Sequence, residues 1–172
     1  MTNLGSTLLA LATLTLASPS VHASPVFTQA RALLTEFRMD PHGSRSRPDS
    51  GSAEVDLVNH TVTLSLDMPV TCSQPVCPPG RHISRTTLPI ISQKDDGCGS
   101  TIFIAEHDAR PVDGVLRVFT VSDHSARLCE DYRPFATEVT ETITLPSRGI
   151  GSRTPLENYY GGGRLTPSRI HQ

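Results

Sequence analysis

Apolar and polar residues alternate one for one through Ala53, Val55 and Leu57, and again through Val62, Leu64, Leu66 and Met68. Glu54, Asp56, Thr63, Ser65 and Asp67 fill the intervening positions. A period of two puts successive side chains on opposite faces of a strand, so each run has one face to bury and one to wet. Asn59-His60 separates the runs, as the turn of a hairpin should. A strand with one apolar face is unstable alone and must cover that face with another sheet or with its own curvature.

The same pattern recurs along the chain. Leu33 to Met39 reads as a strand, and the Pro-, Gly-, Ser- and Arg-rich stretch from Asp40 to Ser52 as a mobile hairpin loop. Ile83 to Ser92 is a further strand, placed at a sheet edge because Pro89 cannot donate to a ladder. Lys94-Asp95-Asp96-Gly97 is a turn, with strands at Thr101–Glu106 and Val115–Val121 beyond it. Thr137 to Leu145 buries Val139, Ile143 and Leu145 on one face, which only Glu141 interrupts. Six or seven short strands without a long helix imply an all-β domain. A small antiparallel β-sandwich is the first expectation and a small barrel the second.

Both ends of the chain depart from this pattern. The first 23 residues carry no charged side chain, Leu8 to Leu16 is apolar, and Val21-His22-Ala23 suits signal peptidase. Residues 1–23 therefore read as a secretory signal, and residues 24–145 as the domain. The apolar stretch is too short to span a membrane. Residues 146–172 hold five of the twelve glycines, several arginines and one acid, Glu157, and read as a disordered tail. Tyr159-Tyr160 among those arginines resembles single-strand nucleic-acid tails, but the segment is short, unrepeated and exported. Net charge is −2, so no general field favours nucleic acid.

Four cysteines, Cys72, Cys77, Cys98 and Cys129, suit disulfides in an oxidising compartment, secreted or periplasmic. Cys72–Cys77 and Cys98–Cys129 are the expected pairs. A thiolate metal site would bring paired C-x₂-C knuckles, which are missing, so no metal and no cofactor is expected. Neither a G-x-S-x-G elbow nor a phosphate-cradling glycine loop is present.

Two segments carry the candidate binding residues. In Glu106-His107-Asp108-Ala109-Arg110, an imidazole, carboxylates and a guanidinium share one connection between strands, giving His107, Asp108 and Arg110. The other is Cys72 to Arg81, a proline-stiffened loop that a local disulfide would pre-organise, with Arg81 as its cation. Asp123-His124 offers an imidazole–carboxylate pair, and Asn59-His60-Thr61 an N-glycosylation acceptor. These features suggest an exported, non-enzymatic module that binds a protein partner or plays a structural accessory role. The alternative is a protease inhibitor that presents the 72–81 loop, and an enzyme built on His107 and Asp108 ranks third. Export makes a direct prediction: N-terminal sequencing of the mature protein should begin at Ser24, and an intact Met1 on cytoplasmic protein would refute it.

Overall fold

In a computed structural model of the chain, the residues described are 27–69, 80–112, 114–130, 132–146 and 154–168. The proposed signal segment 1–23 lies outside them, as does the expected Cys72–Cys77 pair. The strands are β1 (Gln29–Arg38), β2 (Ser50–Asp56), β3 (Thr61–Pro69), β4 (Arg81–Asp95), β5 (Thr101–Asp108), β6 (Leu116–Asp123), β7 (Thr137–Thr144), β8 (Leu156–Gly162) and a short β9 (Thr166–Pro167). Among the described residues no helix is long and apolar enough to cross a membrane.

The sandwich expectation is not met. Each strand from β1 to β8 pairs antiparallel with the next, and β8 pairs back onto β1, closing an up-and-down β-barrel. Closure works because β1 serves two neighbours in succession. Its first half, Gln29 to Leu34, pairs with β2, and Leu34 to Arg38 pairs with β8 across a register shift. A sandwich would leave these strands as edges, whereas here their backbone groups answer one another.

The expected disordered tail is the second correction, because it supplies the closing strand. Its glycines fit close approaches rather than flexibility. A Cβ on Gly162 would lie 2.1 Å from the Leu33 carbonyl oxygen of β1. One on Gly161 would lie 2.3 Å from the Phe135 ring, which covers that residue from outside. Tyr160, in the same strand, is fully buried in the barrel. The 24–145 boundary is therefore too short, since the barrel runs to β8.

The third correction concerns β4, which is not an edge strand. Residues 81–89 pair with β3 and residues 90–95 with β5. Pro89 falls at the handover, opposite Thr61 at the end of the β3 ladder, where its missing N–H breaks no continuing pairing. The central hairpin has the expected register, with Ala53 opposite Leu64 and Val55 opposite Val62. His60 takes a left-handed conformation at its turn, with φ 52°.

Inward-facing Leu34, Phe37, Val55, Val62, Leu64, Leu66, Phe103, Phe119, Val121, Val139 and Tyr160 fill the interior. Eight strands give a barrel just wide enough for side chains to fill. Cys98 and Cys129 form the expected disulfide, with their Cα atoms 5.3 Å apart. It joins the β4–β5 turn to the β6–β7 connection, at the end where Thr101 and Asp123 are paired. At the opposite end lie the β1–β2 and β5–β6 connections, the start of β8, and the ends of β3 and β4 on either side of the undescribed 70–79.

The closing strand makes a sharp prediction. Deleting residues 147–172 should abolish cooperative thermal unfolding, and Gly162→Ala should cost about 3 kcal/mol through the clash at Leu33. A truncated protein that melted like the full chain would refute closure by β8.

Candidate functional site

The side chain that breaks the apolar face of β7 organises the open end of the barrel. Glu141 lies between inward-facing Val139 and Ile143, and its side chain is 1% exposed. A buried carboxylate must be met by donors and by opposite charge. Tyr160 donates its hydroxyl to Oε2 at 2.7 Å, and Asn158 donates its amide to the same oxygen at 3.1 Å. Arg45 Nη1 reaches both oxygens, at 3.1 and 3.0 Å. Arg117 Nε faces Oε1 at 3.5 Å as an ion pair, without hydrogen-bond geometry. Burial, reinforced by the Glu141 charge, pushes the Tyr160 hydroxyl well above the ordinary tyrosine range.

Each donor arrives for a local reason. Asn158 and Tyr160 share the inward face of β8, with Asn158 directly opposite Glu141. Arg117 is two positions from Phe119 and so faces inward on β6. Arg45 comes from the β1–β2 loop, which is latched to β8 rather than free. Asp40 N donates to Asn158 Oδ1 at 2.9 Å, and Glu157 N donates to Asp40 Oδ2 at 3.0 Å. The backbone donors Glu157 and His42 also hold the Asp40 carboxyl below its usual range.

Beside this cluster a cleft of about 330 Å³ opens, lined by Thr86, Thr87, Leu88, His107, Ala109, Val115 and Arg117. Its origin is Pro89. The β4–β5 ladder stops at Ile90 opposite Ala105, so Thr86 to Leu88 and the end of β5 stand apart. Arg117 spans the gap, its Nη1 donating to Thr86 Oγ1 at 3.4 Å. A larger groove of about 400 Å³ lies where β1 and β2 part, walled by Arg31, Leu33, Thr35, Ile83 and Arg85.

The expected site residues separate. His107 continues the inward face of Phe103 and Ala105, pairs with Arg117, and lines the cleft. Asp108 and Arg110 satisfy each other, Arg110 Nε donating at 2.7 Å, and this partner holds the exposed Asp108 carboxyl down to about 2. Arg81 is the first residue of β4, opposite Pro69, and the loop it was expected to serve lies outside the described residues.

His124 sits at the other end, bonded through Nδ1 to Ser100 Oγ at 2.8 Å and through Nε2 to Glu138 at 3.3 Å. That chain has the composition of a hydrolase triad. Ser100, however, is fully buried and already receives Arg127 Nη1 at 3.2 Å, so its oxygen cannot meet a substrate. Asp123 turns away to the backbone N–H of Ser125. Glu138 also accepts from Tyr159, whose hydroxyl is pushed up to about 12, mainly by burial. Among the described residues no three metal-ligating side chains gather. Asn59 is exposed at its hairpin tip, with its amide on Asp56 at 2.7 Å.

Sequence reasoning noticed Glu141 only as a defect. Arg117 shows the same signal, a charge in phase with Phe119 and Val121. Nothing local marks Arg45. Fold and site together define a closed, side-chain-filled β-barrel with a buried carboxylate and a small cleft at one end. No protein-family model, curated protein or solved structure matches the chain.

Removing the carboxylate should expose how much depends on it. Glu141→Ala should cost about 3–5 kcal/mol by leaving Arg45, Asn158 and Tyr160 without their acceptor and Arg117 without its counter-charge. Tyr160→Phe should cost about 1.5–3 kcal/mol. Equal denaturant midpoints for wild type and Glu141→Ala would refute the organising role.

Proposed function

We propose that the protein is an exported, non-enzymatic binding module that works through the end of the barrel bearing the Pro89 cleft. The observation that carries this reading is the position of the cleft. It opens at the rim of a filled interior, beside a rigid polar network, where loops and strand ends converge. Concave sites with apolar walls and a few placed polar groups are the usual form of a ligand site, and about 330 Å³ lies at the small end of their range. The Cys98–Cys129 disulfide fits an oxidising, extracytoplasmic space. The non-enzymatic reading is supported by the sealed Ser100 hydroxyl and by the mutual pairing of Asp108 with Arg110.

The test is a thermal-shift screen of a diverse small-molecule and peptide library against wild type and Ala109→Trp, which fills the cleft with an indole. Compounds that stabilise wild type should lose their effect on the variant. Ligands that stabilise both proteins equally would place binding elsewhere. Turnover of ester or peptide substrates that disappears in Ser100→Ala would overturn the non-enzymatic reading.

A further inference from the structure

From the placement of Arg117 in its wall we infer that the Pro89 cleft takes a small ligand with an anionic carboxylate head and a short apolar body. The inference rests on the reading of this end as the binding end, and it names the ligand class. Two guanidiniums, Arg45 and Arg117, meet the single carboxylate of Glu141. Arg45 has the hydrogen bonds, at 3.0 and 3.1 Å, and Tyr160 and Asn158 complete the shell of that carboxylate. Arg117 stands back at 3.5 Å, and among the described residues its buried Nε meets no hydrogen-bond acceptor. Nearby Asp108 is engaged by Arg110. Among the described residues, Arg117 thus presents a guanidinium that no carboxylate hydrogen-bonds, on a side chain only 25% exposed in the wall of the cleft.

The rest of the lining suits the same ligand. The Thr86 hydroxyl, which accepts from Arg117, and the His107 ring supply short-range donors in the same wall. Leu88, Ala109 and Val115 supply apolar wall. A planar guanidinium matches a carboxylate through two parallel N–H bonds, and partial burial strengthens that pairing over its value in water. At about 30 Å³ per water-sized unit, the cleft of about 330 Å³ holds roughly ten non-hydrogen atoms. A short free acid and the carboxyl-terminal residue of a peptide both present this chemistry.

Hexanoate and N-acetyl-leucine stand for those two sources, and hexanamide is the uncharged control. Each is titrated into uniformly ¹⁵N-labelled protein while amide shifts are followed. At least one carboxylate should move the amides of Thr86, Leu88, Ala109 and Arg117 saturably, with a Kd on the order of a millimolar or tighter. Hexanamide should bind roughly tenfold or more weakly than hexanoate. Arg117→Gln should lose carboxylate binding to the same degree while its spectrum remains that of the folded barrel. Should Arg117→Gln fail to fold, Ala109→Trp keeps the charge, blocks the space and should abolish the shifts. Saturation by neither carboxylate, equal binding of hexanoate and hexanamide, or indifference to Arg117→Gln would overturn the inference. Screening compounds that occupy the cleft regardless of charge would overturn the ligand class alone. Compounds indifferent to Ala109→Trp would overturn the binding end itself.

Discussion

The structure depends first on the contact between its first and last long strands. β1 cannot complete its hydrogen bonding with β2 alone, because that ladder ends at Leu34 opposite Gly51. β8 takes up the second half, and it comes close enough only because Gly162 presents no side chain to the Leu33 carbonyl. With that seam formed, the alternating faces of eight strands point at one another and the interior fills. Without it, Tyr160 loses its burial, Asn158 leaves Glu141, and the β1–β2 loop loses the latch that delivers Arg45.

The network at the mouth makes poor sense as a device for stability alone. Two guanidiniums and a carboxylate withdrawn from water lose hydration that their attraction only partly restores, and apolar residues of similar volume often serve as well. The barrel could have continued the pattern of Val139 and Ile143 through position 141. What the carboxylate provides instead is position: Arg45 and Arg117 are held in fixed geometry at the rim of an otherwise apolar interior. Charge held in place by buried partners is what a recognition surface requires.

Much of this architecture was legible in the sequence, and the rest was hidden for identifiable reasons. β1 to β7 announce themselves by alternation, and the central hairpin and the Cys98–Cys129 pair follow from spacing. β8 escaped because its sequence, Leu-Glu-Asn-Tyr-Tyr-Gly-Gly, pairs polar Asn158 with Glu141 inside and lets glycine stand where strands ordinarily show branched residues. Composition made that segment look unfoldable because its glycines answer a tertiary contact that no local window contains. Pro89 misled for a similar reason, since a strand that changes partners midway tolerates a missing donor at the change. His107, expected in the connecting loop, lies instead within β5 and lines the cleft, while Asp108 and Arg110 spend their charges on each other. The partners that matter, Arg45 and Arg117, are far apart in sequence and meet only through closure.

The disulfide and the cleft lie toward opposite ends of the barrel, and this makes its mechanics directional. Covalent bonding at Cys98–Cys129 pins the connections at one end, so thermal breathing has little room there. At the other end the β4–β5 ladder has already lapsed, and splaying those strands further breaks few backbone hydrogen bonds. The molecule resembles a clothes-peg with its spring at the disulfide and its jaws at Thr86 and His107. Splaying the cleft walls would therefore break fewer backbone hydrogen bonds than opening the seam between β1 and β8.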